Sequence, residues 1–203
     1  MNWKLVDVIQ ETNHPFLNFF TLVYEVEDER GKRPYSYFLA SRKSKGELRA
    51  KTHSYHKPDG ILLCLYRQKD GEIEVALTSQ FRPALGGYTT SFAAGLIDGD
   101  EDELEAARRE AEEEAGAKIG KVEIIAPASP TSSGLSDEEV SVALCDVVGQ
   151  TETKLEDFED ISCRYYPLSS IPSLLKEKDR IVPINIRLTL LYILERFKNL
   201  SSK

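Results

Sequence analysis

Residues 95–117 read GLIDGDEDELEAARREAEEEAGA, and the rest of the chain is best approached from them. Leu104, Ala107, Ala111 and Ala115 recur at helical spacing. They predict a helix from residue 101 to about 115, with Gly116 as its C-terminal stop. Glu110, Glu113 and Glu114 then stand at i, i+3 and i+4, on one helix face. Carboxylates so placed repel one another by roughly 0.2–0.5 kcal/mol per pair, too little to demand a metal. A hard divalent cation with oxygen ligands would nevertheless turn that repulsion into a binding site. The plain alternative is a solvated acidic face, the usual meaning of a charge run. Ala107, Ala111 and Ala115 form a small apolar face that lets the helix backbone approach a sheet closely. Gly95 permits a tight or left-handed turn before the helix. It follows Phe92-Ala93-Ala94, so the Ala94 carbonyl is a further candidate metal ligand.

Around this segment the chain alternates β-prone runs with polar turns. Residues 16–26 and 35–40, flanking a polar turn at 28–32, predict a β-hairpin. Residues 41–58 read as a polar, basic connector. His53 and His56 lie in it, too few ligands for a zinc site. The expected organisation is therefore an N-terminal β subdomain over 1–57 and a larger domain over 58–203. In the latter, strands are expected at 61–66, 73–80, 88–92, 122–126, 140–148 and 162–166, and helices at 171–176 and 183–197. Ile186, Leu190, Ile193 and Phe197 give the last helix one apolar face. This order predicts an α+β layered domain with a mixed sheet.

The 203 residues carry a net charge of −8, with 41% hydrophobic and 30% charged residues. That is the composition of a folded globular chain. The acidic balance argues against a broad electrostatic grip on nucleic acid. It does not argue against a phosphorylated substrate, because cations held by carboxylates can in turn hold phosphates. Cys64, Cys145 and Cys163 form no disulfide framework. The first two sit in apolar runs and read as buried thiols. No basic leader precedes an apolar stretch, and no run approaches the roughly 18 apolar residues of a membrane helix. The expectation is a cytosolic, reducing setting with no membrane partner.

Gly95, Glu101, Arg109, Glu110, Glu113, Glu114 and Gly116 together resemble the signature of the Nudix hydrolase superfamily, at every fixed charged and glycine position. Against the composition of the chain, chance agreement is on the order of 10⁻⁸ per starting position. Ala111 and Ala117 stand where bulky aliphatics are usual. The resemblance implies an α/β/α sandwich, dependence on Mg²⁺ or Mn²⁺, and hydrolysis of a nucleoside diphosphate linked to another group. It implies Glu110, Glu113 and Glu114 as metal ligands, with Glu114 and Arg109 in the catalytic set. Arg109 would orient the carboxylates and Glu101 would support the loop before the helix.

Gln80-Phe81-Arg82-Pro83, Ala94-Gly95-Leu96-Ile97-Asp98 and residues 129–138 (SPTSSGLSDE) are similar to the ADP-ribose pyrophosphatase branch. That similarity implies ADP-ribose as substrate, AMP and ribose 5-phosphate as products, Glu138 as general base, and a homodimer formed through the N-terminal hairpin. Read from the residues alone, Arg82 ends a strand and can grip a phosphate bidentately, or is a surface arginine. Glu138 is a loop carboxylate able to act as a base, or a solvated turn residue, with Asp137 and Glu139 as neighbours of the same kind. Ser91 and Ala93 depart from the Glu and Pro of the branch, and residues 130–134 are longer than its loop. Nucleotide sugars, NADH and dinucleoside polyphosphates are the competing substrates. A nucleotide-sensing module without hydrolysis is the competing class.

Overall fold

The computed structural model describes residues 1–198. Its contacts fall into two compact units, one made of residues 1–59 with 128–140, the other of residues 60–127 with the chain from 141 onward.

The first unit holds three antiparallel strands, β1 (Asn2–Gln10), β2 (Asn18–Asp28) and β3 (Gly31–Ser41), in the order β1-β2-β3. The expected hairpin is β2 with β3. Strand β1 is an addition to it. Its pairing slips between Leu5 and Asp7, and such a bulge destroys the period-2 alternation that marks a strand in sequence. Val8, Phe20, Leu22, Leu39 and Leu48 form the core of this unit.

The segment read as a connector contains a short helix, α1 (Arg49–Thr52), and Arg49 is only 5% exposed. Its guanidinium donates to the Asp137 carbonyl at 2.8 Å, the Lys57 carbonyl at 2.6 Å and Asp59 Oδ2 at 2.9 Å, and also to the Ser54 carbonyl. Glu139 Oε2 lies 3.3 Å away. Burial pushes the Asp59 carboxyl up, but Lys43, the Glu139 N–H and Arg49 all donate to it and hold it below its usual range. A buried guanidinium is tolerable only with such a complete set of acceptors.

The second unit contains β4 (Gly60–Lys69), β5 (Glu72–Arg82), β6 (Gly87–Ser91), β7 (Ala93–Leu96), α2 (Glu103–Ala115), β8 (Ala117–Pro130), β9 (Glu139–Gln150), β10 (Ile161–Pro167), a 3₁₀ turn at Leu168–Ser170, α3 (Ile171–Leu174) and α4 (Ile184–Phe197). The seven-stranded sheet runs β10-β5-β4-β9-β8, with β6 on β5 and β7 on β4. Alternate residues of β4 serve opposite faces. Ile61, Leu63 and Leu65 pack with Ala106, Ala107 and Ala111 of α2. Tyr66 meets Phe197 of α4 on the other face, ring centroids 5.2 Å apart. The sheet thus lies between helices, the α/β/α arrangement of an α+β protein. Cys64 and Cys145 are buried thiols. Among the described residues, no helix is long and apolar enough to cross a membrane.

Helix α2 starts two residues later than its apolar spacing suggests, because Asp102 caps it. The Asp102 carboxylate accepts from the Leu104 and Glu105 N–H groups, and Glu105 returns a bond to the Asp102 N–H at 3.0 Å. At the other end Gly116 adopts φ +57, and its N–H reaches the Ala111 and Glu112 carbonyls. A Cβ there would stand 2.7 Å from the Thr151 carbonyl oxygen. Asp102→Ala should therefore cost about 1 kcal/mol of stability in urea unfolding. Gly116→Ala should cost more, since it adds a steric conflict to the roughly 1–2 kcal/mol of a left-handed non-glycine residue. Equal or smaller loss for Gly116→Ala would contradict this account of the helix ends.

Candidate active site

The loop before α2 and the helix itself are joined by one side chain. Arg109 grips Glu101 with both arms of its guanidinium, Nε to Oε1 at 3.0 Å and Nη2 to Oε2 at 2.9 Å. Nη2 also donates to the Leu96 carbonyl at 2.9 Å. Nη1 reaches Glu110 at 2.5 Å and Glu113 at 3.1 Å. These contacts raise the Arg109 pKa further, the Glu101 bond most of all, and that same bond holds the Glu101 carboxyl below its usual value.

Glu110 and Glu114 are buried, each 7% exposed, whereas Glu113 is half-exposed. Burial raises the Glu110 carboxyl above its ordinary value, against the bond from Arg109. Burial pushes the Glu114 carboxyl up to about 7, against the N–H of Ala94, which donates to it at 2.9 Å. The charge of Glu110 adds to that rise and the charge of Arg82 opposes it. Gly95 leaves room for the Glu110 carboxylate, because a Cβ at that position would fall inside it and oblige it to move. Gly60 makes room on the next strand, where a Cβ would stand 2.7 Å from the Gly95 carbonyl oxygen.

Arg109 therefore brings Glu110 and Glu113 together, and Glu114 meets the Ala94 N–H. Arg82 ends β5, exposed, with its charge bearing on Glu114. Ser91 is buried opposite Thr78 of β5, and Ala93 packs into the core beneath α2. Glu138 belongs to the first unit, where Arg42 pairs with it at 3.4 Å and Thr131 donates to it at 3.1 Å. Asp137 and Glu139 are both engaged by Arg49. The first unit holds a cavity of about 590 Å³ walled by Trp3, Tyr24, Tyr35, Tyr37 and Tyr55.

One carboxylate here escaped sequence reasoning. The charge of Glu159 raises both the Glu110 and the Glu114 carboxyls. Its loop is tied to the end of α2, since the Lys154 N–H donates to the Glu113 carbonyl and the Thr151 N–H to the Gly116 carbonyl, both at 2.9 Å. Glu159 Oε2 accepts from the Glu156 N–H at 2.9 Å. In the sequence Glu159 is one acid among several in residues 151–160, and nothing there separates it from a solvated loop.

Among the described residues no three carboxylate, imidazole or thiol side chains converge as an enclosed ion requires. Arg109 draws Glu110 and Glu113 to itself, and Glu114 is turned to the Ala94 N–H. The donor set nonetheless fits a hard divalent cation. It is made of carboxylate oxygens, and two of these carboxylates are buried against the resistance of their surroundings, which a cation would relieve.

The model of the NUDIX domain matches residues 56–185, a span that includes every residue of this cluster. The chain belongs to the NUDIX domain family. An ADP-ribose pyrophosphatase of Saccharomyces cerevisiae is 33% identical over 137 residues, which are 64% of this chain and 59% of that protein. An ADP-sugar pyrophosphatase of Mus musculus is 46% identical over 63 residues, 31% of this chain and 28% of that protein. The chain thus spans less than two thirds of these curated relatives. A crystal structure of an ADP compounds hydrolase superposes with a TM-score of 0.71 at 16% identity, covering 98% of this chain and 96% of its own. At that identity it shows the shared fold.

The Arg109 network has a pH signature. Because Glu101 titrates below its unfolded value, its contribution is full above the ordinary carboxylate pKa and is lost as pH falls through the depressed one. Arg109→Ala should therefore destabilise the protein more near neutrality than at a pH well below the ordinary carboxylate range, measured by urea unfolding at the two pH values. An equal loss at both would mean that the ion pairs contribute nothing.

Proposed function

We propose that the protein is a metal-dependent pyrophosphohydrolase acting on a nucleoside diphosphate derivative, and that its substrate is ADP-ribose, cleaved to AMP and ribose 5-phosphate. The observation that carries this reading is the pair of buried carboxylates, Glu110 and Glu114, seated on Gly95 and framed by Arg109 in the spacing of the family signature. The substrate class is supported by two relatives, an ADP-ribose pyrophosphatase and an ADP-sugar pyrophosphatase.

Glu110, Glu113, Glu114 and the Ala94 carbonyl would hold Mg²⁺, or Mn²⁺ in its place. Such an ion, when bound, offsets charge on the phosphoryl oxygens and lowers the pKa of a coordinated water. The remaining work falls to the chain. Arg109 fixes the carboxylates so that they need not reorganise during the reaction. Arg82, at an exposed strand end, takes a phosphate oxygen through its fork of donors. A carboxylate accepts the proton of the attacking water, as a bond forms from that water to one phosphorus and the bridging P–O bond breaks. Glu159 suits this role because its charge already acts on Glu110 and Glu114. Glu138, suggested by the sequence resemblance, is the second candidate. A purely nucleotide-sensing role is less well supported, since every signature carboxylate is present.

Incubation with ADP-ribose and Mg²⁺, followed by phosphate release from the products with a phosphatase, tests the activity. Glu113→Gln with Glu114→Gln should abolish turnover, and unchanged turnover would refute the proposal. Glu159→Gln should lower kcat by about 10²-fold or more if it is the base, as general-base losses typically run. If the loss falls on Glu138→Gln instead, the role passes to that residue. A panel of nucleotide sugars, NADH and dinucleoside polyphosphates ranks the substrates. We further propose a homodimer formed through the first unit, supported by the exposure of Trp3, Phe16 and Phe38 on its surface. Light scattering should give twice the mass of the 22.9 kDa chain, and a monomeric mass would refute the dimer.

A further inference from the structure

We propose that a cavity in the second unit, on the sheet face away from α2, is a binding site for a phosphate group. It measures about 270 Å³ and is lined by Ser79, Thr90, Ser162, Arg164, Tyr166 and Arg180, together with Leu77 and Thr78. Its side of the sheet follows from the pairing. Ser162 pairs with Ser79, Arg164 with Leu77, and Ser79 with Thr90. Directly opposed residues share a face. Cys163 and Tyr165, which alternate with them, pack into the core beneath α2. The sheet therefore separates this cavity from the carboxylate cluster.

The chemistry of the lining is that of an anion site. Two guanidiniums face one small space whose lining contains no carboxylate, in a chain of net charge −8. Among the described residues Arg164 has no ion pair and no hydrogen bond, and the hydroxyls of Ser79, Ser162 and Tyr166 have no hydrogen-bond partner. Arg180 is already aimed inward by its bond to Thr90 Oγ1 at 3.0 Å. Its other bond goes to Glu177 at 2.8 Å, whose side chain is 52% exposed and so only weakly offsets the charge. A phosphate is the oxyanion that two guanidinium forks and a ring of hydroxyl donors match best. Chloride, a single acceptor centre, would leave the hydroxyls and the second fork less well used. A neighbouring cavity of about 470 Å³ shares Ser79, Thr90 and Arg180 and adds Glu177 and Asp179, acceptors for the hydroxyls of a small sugar. The occupant is therefore inorganic phosphate or a small phosphomonoester.

Calorimetric titration with inorganic phosphate and with ribose 5-phosphate decides the matter. It is done in chelator, to silence any cation at Glu110 and Glu114, and at constant ionic strength set with chloride. Saturable one-site binding is expected. Arg164→Gln should weaken it by about tenfold or more, the effect of losing a charge-assisted bond, and Arg164→Gln with Arg180→Gln should abolish it. Arg82→Gln and Glu113→Gln with Glu114→Gln should leave it intact, which separates this site from the proposed hydrolytic one. Tighter binding of ribose 5-phosphate identifies a phosphomonoester, and equal binding identifies free phosphate. Among the described residues the exposed Arg164 side chain has no ion pair and no hydrogen bond, so its variant should keep the urea midpoint of the parent. No saturable binding, equal affinity in the double arginine variant, or loss in Arg82→Gln would overturn the proposal.

Discussion

Arg109 donates to three carboxylates and one backbone carbonyl, and most of the cluster is placed by those bonds. Glu101 belongs to the loop and Leu96 to the end of β7, while Glu110 and Glu113 belong to the helix. One guanidinium therefore sets both the entry of the chain into α2 and the aim of its acidic face. The planarity of the guanidinium matters here. A lysine would bring a point charge and could not span Glu101 with two parallel bonds while also reaching the helix.

Burial is the second constraint. Glu110 and Glu114 are carboxylates that resist being where they are, since desolvation raises both. They are kept there by what surrounds them. Ala106, Ala107 and Ala111 seat the helix close to the sheet, and the missing side chain of Gly95 leaves space for the Glu110 carboxylate. Larger residues at the alanines would lift the helix away, and the carboxylates would return to water. The small residues around the signature and its acids are thus parts of one arrangement, although they look unrelated in the sequence.

This explains what could be read beforehand. The helix, its acidic face, the Gly116 stop and the layered architecture were legible because each rests on local spacing, whereas Gly95 lies within strand β7 and not in the tight turn expected before the helix, its bare Cα serving the Glu110 carboxylate instead. The late start of α2 was concealed by the capping role of Asp102, which the apolar period does not register. Strand β1 was concealed by its bulge. Arg49 looked like one basic residue in a polar connector, because its acceptors at Ser54, Lys57 and Asp59 are gathered by a turn of the backbone and those at Asp137 and Glu139 are distant in sequence. Glu159 was hidden for the same reason. Its significance depends on a loop pinned to the end of α2, and its own neighbours are acids of no distinction. Groups fixed by local periodicity can be read from a sequence, whereas groups fixed by long-range pairing cannot.

The buried Arg49 also bears on the order in which the molecule is assembled during synthesis. The first unit is not continuous in the chain, for it draws on residues 128–140 as well as 1–59. When the ribosome has released only the N-terminal strands, Arg49 has Ser54, Lys57 and Asp59 within reach but lacks Asp137 and Glu139. Withdrawing a guanidinium from water is costly while two of its five acceptor residues are missing. The part of the protein made first is therefore completed only after the NUDIX helix has left the ribosome, because residues 128–140 follow that helix in the chain.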